Sequence, residues 1–260
     1  MAYLDLNNVT LHYPTSGAST NSIGQGDGSA VAGQFVRSAR GGMAVQAIDR
    51  LTLSLKDGDR LGIIGSNGSG KTTLLQIMAG ILSPVGGAVA ASGRIATMFS
   101  IGLGMQADAS GMRNIYLAGL VAGATRQQIK ASIPDIEDFT GLGDYLQLPV
   151  RTYSHGMAMR LRFACATAFQ PDIILLDEWI GAGDAEFQEK ARLRLEHLLK
   201  RAGIVVIASH NRQLIRRVSN MLLWLERGKV RAHGGVDDVL RAREDFMVAE
   251  RQAQLTTKSA

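Results

Sequence analysis

Residues 65–72 read GSNGSGKT, and no other eight positions constrain this chain as tightly. The spacing fits the phosphate-binding pattern G-x-x-x-x-G-K-[ST]. Gly65, Gly68 and Gly70 let the backbone wrap closely, so that successive N–H groups of Ser66, Asn67 and Ser69 turn inward toward phosphate oxygens. In such a loop Lys71 reaches the β- and γ-phosphates of a nucleotide and Thr72 offers its hydroxyl to Mg²⁺. The apolar run 61–64 reads as a buried strand. Residues 73–81 read as a helix whose N-terminal dipole, with Thr73 in its first turn, favours an anion. A glycine-rich turn without function is the bland alternative; the flanking strand and helix argue for nucleotide binding.

The chain has 260 residues, 46% hydrophobic and 20% charged, enough for one large α/β domain or two packed lobes. No apolar stretch approaches the ~20 residues needed to span a bilayer. The N-terminus lacks a basic segment followed by a hydrophobic one, so a cytoplasmic protein is expected. Cys165 is the only cysteine, which excludes an intrachain disulfide and a cysteine-rich metal site. It shares a helical face with Leu161, Ala164 and Ala168 and reads as a buried structural thiol. The net charge is +5. Basic residues in 190–201 and 212–217 interleave with leucines at helical spacing, the pattern of solvated helix faces.

Along the chain, residues 3–13 suggest an edge strand. Residues 14–42 are glycine- and serine-rich and read as a flexible insertion. A strand over 45–55 and a turn at 56–59 lead into the phosphate loop, and 93–99 reads as a further strand. From 102 to 150 the pattern turns helical, with helices at 113–122 and 126–132, as in an inserted lobe. Ser154 is placed to cap a helix over 154–169. Residues 172–176 read as a central parallel strand, 204–208 as a further buried strand, and 186–201 as an amphipathic helix. Residues 221–225 and 229–233 suggest a hairpin, and the tail from about 243 is polar.

Asp177 and Glu178 follow the apolar run 172–176 directly. Ligands of open α/β sheets sit beyond the carboxyl ends of strands. There Asp177 would hold Mg²⁺ together with Thr72, and Glu178 would polarise an attacking water. His210 follows the strand 204–208 in the same way and would touch a γ-phosphate.

The order of these motifs resembles the ATP-binding cassette (ABC) ATPases, over roughly residues 3–240. The resemblance implies an α/β, P-loop NTPase core with an antiparallel β edge and an inserted helical subdomain. It also implies one nucleotide-binding domain over 1–260, with ATP and Mg²⁺ as cofactors. Tyr153-Ser154-His155-Gly156-Met157 holds the place of the family's L-S-G-G-Q signature, where Ser154 and Gly156 face a γ-phosphate. Residues 181–184 hold the place of the D-loop, including Asp184, and Tyr13 that of the aromatic stacked on adenine. Three departures stand out: His155 and Met157 in the signature, a glycine-rich 100–104 without the Q-loop glutamine, and Trp179-Ile180 after the acid pair. These departures, with Arg113-Asn114-Ile115-Tyr116-Leu117, are similar to the ATPase subunits of bacterial exporters of O-antigen, capsule or teichoic acid.

That resemblance implies a homodimer in which Lys71 and Thr72 of one copy and Ser154 and Gly156 of the other enclose ATP. It further implies a pair of integral-membrane permease subunits and a position on the cytoplasmic face of the inner membrane. A separate C-terminal glycan-binding domain, present in some of that subgroup, is not expected. Importers and drug or lipid exporters share the same machinery and remain the alternative. A nucleic-acid-associated ATPase is the weaker reading, since the chain has one phosphate loop, no sustained heptads and one cysteine.

Overall fold

The computed structural model describes residues 1–14, 34–37, 43–99, 105–177 and 185–258. They form two compact units, one of Met1–Ala2 with Ser92–Val205 and one of Tyr3–Ala91 with Val206–Ala260.

The unit holding the phosphate loop contains two layers of strand. Strands β1 (Tyr3–Pro14), β2 (Gln34–Arg37), β3 (Met43–Lys56) and β5 (Gly86–Ser92) form a sheet in the order β2-β3-β1-β5. Alternation buries Leu4, Leu6, Val9 and Leu11 of β1 against Ile48, Leu51 and Leu53 of β3, as period-two patterning requires. β1 is therefore not the edge strand its sequence suggested, because β3 and β5 flank it on both sides. Gly86–Ser92 carries too few branched or aromatic residues to announce itself as that partner. β2 lies inside the stretch read as a flexible insertion, paired antiparallel to β3 with Phe35 opposite Val45.

In the same unit β4 (Arg60–Ile64) runs parallel to β9 (Met221–Glu226), and β10 (Lys229–Gly234) closes the anticipated hairpin with β9. The order is β10-β9-β4, followed by Val206–Ala208 of β8 (Ile204–Ala208). Leu61 and Ile63 of β4, Leu223 and Leu225 of β9, and the β8 residues are all but fully buried. Their near-continuous apolar runs are what a parallel sheet covered on both faces demands. α1 (Lys71–Met78) and α6 (Arg212–Val218) follow strand ends. The segment read as a polar tail belongs to a helix, α7 (Val236–Lys258). Buried Val239 and Leu240 anchor it, and the Phe246 ring stands edge-on to Trp224 at 5.2 Å.

The other unit contains β6 (Ile95–Thr97) parallel to β7 (Ile173–Asp177), beside Ile204 and Val205 of β8. Its helices are α2 (Gly111–Val121), α3 (Arg126–Thr140), α4 (His155–Ala168) and α5 (Ala185–Arg201). α3 begins on a complete capping box between Thr125 and Gln128. It runs eight residues past the expected end, through Pro134. Proline ordinarily stops or kinks a helix, but Ile129 and Ile136 on either side of it are fully buried and hold the helix together. Phe139 of α3, Phe163 of α4 and Phe187 of α5 meet ring against ring, with centroids 5.4–6.0 Å apart. The Arg194 guanidinium lies 4.5 Å over Phe139, ion-paired to Asp135 and donating to Thr167 Oγ1.

Candidate functional site

The phosphate loop is held by contacts that leave no room for side chains. A Cβ on Gly65 would meet the Leu225 carbonyl at 2.1 Å and Ser69 Oγ at 2.4 Å. Gly70 has φ 105° and lies against the Ala47 carbonyl, 2.6 Å from where a Cβ would stand. The loop closes on itself through Ser69 N–H donating to Ser66 O at 3.1 Å, and α1 starts with Leu74 N–H donating to Gly70 O at 2.8 Å. Asn67 and Gly68 are exposed at its crest.

Lys71 is only 8% exposed, and its Nζ donates to Gly65 O at 3.1 Å and Ser66 O at 2.9 Å. The ammonium is thus held at the mouth of the loop by carbonyls an incoming phosphate can displace. Ser69 is 1% exposed, and its Oγ has no hydrogen-bond partner among the described residues. Thr72 is exposed, next along α1. Thr73 and Tyr13 meet, hydroxyl to hydroxyl, at 3.4 Å.

His210 belongs to the same unit. Ser209 N–H donates to Ile63 O at 3.3 Å, so β8 ends beside the strand that feeds the loop. Asn211 then caps α6 by accepting from Leu214 N–H at 3.1 Å, which fixes the exposed His210 between strand and helix. The structure therefore gathers Tyr13, the loop from Gly65 to Thr73, and His210 into one unit.

Asp177, Ser154 and Gly156 belong to the other. Asp177 is the last residue of β7, half-buried at the carboxyl end as the sequence implies. Ser154 is the N-cap of α4, accepting from Met157 N–H at 3.2 Å. Both Ser154 and His155 are exposed. Gly156 is half-buried, and among the described residues a Cβ there would find only Ser154 Oγ, at 3.9 Å. Burial raises the Tyr153 hydroxyl above its usual range against an opposing backbone hydrogen bond with Gly111. At the far end of α4, burial pushes the Cys165 thiol up to about 12, as a structural role expects. Glu178, Asp184, the D-loop as a whole and residues 100–104 lie outside the described residues.

One contact escaped the sequence reading. Glu226, at the end of β9, accepts a hydrogen bond from Ser66 Oγ at 2.7 Å across 160 positions. Nothing local in the sequence signals it.

The family described as "ABC transporter" matches residues 48–181. The O-antigen export system ATP-binding protein RfbE of Yersinia enterocolitica is 43% identical over 239 residues, covering 88% of this chain and 97% of that protein. The O-antigen export system ATP-binding protein RfbB of Myxococcus xanthus is 36% identical, and the chain spans 52% of its length while aligning over 86% of its own. The teichoic acids export ATP-binding protein TagH of Shouchella clausii is 33% identical over 77% of this chain and 56% of that one. Among solved structures, the ATP-binding cassette MJ0796, a dimer bound to ADP and Pi, aligns with a TM-score of 0.63 at 19% identity. That alignment covers 90% of this chain and 98% of that one. An ATP-binding subunit of an ABC transporter gives 0.66 at 20% identity over 97% and 99%. The two structures agree in fold.

Proposed function

This chain belongs to the ABC transporter family, and on that premise we propose that it is the ATP-hydrolysing subunit of an exporter for a lipid-linked polysaccharide. The observation that carries the cargo class is the near full-length correspondence with the Yersinia O-antigen export protein, 43% identity over 97% of its length. The phosphate loop supports ATP binding: Gly65 and Gly70 are forced by backbone contact, and the Lys71 ammonium is held by carbonyls of the loop itself. The Thr72 hydroxyl and Asp177 carboxylate are the hard oxygen donors that Mg²⁺ prefers. Bound ATP with Mg²⁺ supplies the phosphoanhydride whose cleavage is the energy source.

The chain's own residues have separable tasks. Lys71 moves its ammonium from the Gly65 and Ser66 carbonyls to the β- and γ-phosphates. Tyr13 presents its ring toward the adenine. Glu178 takes a proton from the attacking water, and His210 steadies the γ-phosphate oxygens.

The second half of the pocket comes from another copy. Gly156 would accommodate an alanine, since among the described residues a Cβ there would find only Ser154 Oγ, at 3.9 Å. Its smallness serves an approach from outside the chain. Ser154, Gly156 and the α4 dipole of one protomer meet the phosphate held by Lys71 of its partner, with Asp184 lining the junction. Closure on ATP and opening after cleavage form a ligand-biased two-state switch. A pair of permease subunits reads that switch at the cytoplasmic face of the membrane.

Glu178→Gln should lower turnover by roughly 10²–10⁴-fold, the size of a general-base contribution. With ATP and Mg²⁺ it should sediment as a dimer. A variant that stays monomeric at saturating ATP sinks the shared pocket. In membranes carrying the permease, turnover should respond to lipid-linked polysaccharide, and indifference to it removes the cargo assignment alone.

A further inference from the structure

The hairpin between β9 and β10 ends in a tight turn whose contacts reach beyond the hairpin to the phosphate loop. Glu226 and Lys229 face each other in register, leaving Arg227 and Gly228 as a two-residue connection. Both have positive φ, 49° and 76°, as a type I′ turn requires. Glycine adopts that conformation freely, whereas arginine there is strained, and such strain persists only where surrounding contacts fix it.

Those contacts converge on the phosphate loop. Gly228 N–H donates to Ser69 O at 2.9 Å, and Gly228 O accepts from Asp49 N–H at 2.9 Å. A Cβ on Gly228 would stand 2.6 Å from the Ala47 carbonyl, and Lys229 Nζ lies 3.4 Å from Asp49 Oδ2. Three residues before Gly228, the Leu225 carbonyl presses on Gly65. Between them the half-buried Glu226 carboxylate accepts the Ser66 hydroxyl at 2.7 Å.

We infer that Glu226 is a positioning residue for nucleotide binding, acting through Ser66 to hold the first turn of the phosphate loop in its receptive shape. Ser66 is the node. Its carbonyl accepts both Lys71 Nζ and Ser69 N–H, at 2.9 and 3.1 Å. When Lys71 turns to phosphate, that carbonyl gives up one of its two donors. The side-chain bond to Glu226 is independent of that exchange and keeps Ser66, and with it the Ser69 N–H, aimed as before. A carboxylate beside an anion site is electrostatically adverse, so its role is the hydrogen bond it accepts and not its charge. The inference rests on nucleotide binding alone and stands apart from the cargo.

The test is titration of the full chain with ATP and with ADP. Glu226→Ala should weaken both by the same factor, roughly two- to tenfold for one lost hydrogen bond, since the loop holds the phosphates common to both. The loss should fall on KM and not on kcat. Glu226→Gln keeps an acceptor for Ser66 and should restore wild-type affinity. Ser66→Ala removes the same bond from the other side, so the double variant should be no weaker than either single one. Should Glu226→Ala fail to fold, Ser66→Ala and Glu226→Gln decide the matter. Unchanged affinity in Glu226→Ala or Ser66→Ala, additive losses, or a Gln variant as weak as Ala would each overturn the inference.

Discussion

The phosphate loop and the head of α4 are both glycine-containing anion sites, yet they are built on opposite terms. At the loop, Gly65 and Gly70 are dictated by the chain's own backbone, with carbonyls of Leu225 and Ala47 where side chains would go. Lys71 is buried and already paired to carbonyls. At α4, Ser154 is exposed, its cap bond is long, and among the described residues only Ser154 Oγ stands within 4 Å of a Cβ at Gly156. The first site is finished by intrachain packing. The second is left for something else to finish, and the proposed second protomer is what fits.

Substitutions can break this contrast, and the largest effect belongs at the loop. Gly65→Ala drives a methyl into backbone, and overpacking of this kind costs about 1–3 kcal/mol. Thermal unfolding should drop by roughly 2–4 °C per kcal/mol for a chain of this size. ATP affinity should fall by about tenfold or more. A Gly65→Ala protein that melts and binds like wild type would show that the loop is not held by these contacts.

Gly156→Ala should do the reverse. Alanine is the better helix former, but Gly156 is the second residue of α4 and the gain there falls short of the ~1 kcal/mol of a helix interior. The melting temperature should therefore hold or rise slightly while ATP-driven pairing weakens. Such a split between stability and function marks a residue kept for its role and not for its packing. A lower melting temperature, or undiminished pairing, would erase the distinction between the two sites.

The smallest effect sharpens the contrast within α4, which is capped in solvent by Ser154 and reaches into the core at Cys165. Burial raises that thiol to about 12, against about 8.5 for an exposed cysteine. Below pH ~8.5 both folded and unfolded thiols are protonated, and the group's stabilisation is fully present. As pH rises the unfolded thiol ionises first, so stability declines until the folded thiol titrates as well. Replacing Cys165 with Ala should flatten this alkaline decline, measured as denaturant midpoint against pH. In the native protein iodoacetamide should label Cys165 only as fast as the protein unfolds. Rapid native labelling at pH 8 would contradict its burial.

Elements carried by local signals were legible in the sequence. The motif at 65–72 needs one strand and one helix around it, and both lie in adjacent residues. The runs 204–208 and 221–225 are apolar throughout because both faces of their sheet are covered, and they emerged as read. The Ser154 cap needed only the residue type and the helix after it. What failed was what depends on distant partners. β1 looked like an edge because its outer neighbour, Gly86–Ser92, has small residues that carry no strand pattern of their own. From sequence α3 reads as ending at residue 132, because the burial of Ile136 that sustains it beyond Pro134 is tertiary. Glu226 gave no sign of its bond to Ser66, since that bond exists only once β9 lies beside β4.

The ring cluster of Phe139, Phe163 and Phe187 has a mechanical consequence. It rivets three helices at one point, with Arg194 clamped over one ring and Arg160, 5.4 Å from another, beneath the same joint. Phe163 lies a little over two turns from the first residue of α4. A tug on α3 or α5 therefore arrives at the tip of α4 as a tilt of a stiff rod and not as a local fraying. The serine at that tip travels as a passenger, its aim set by levers anchored elsewhere.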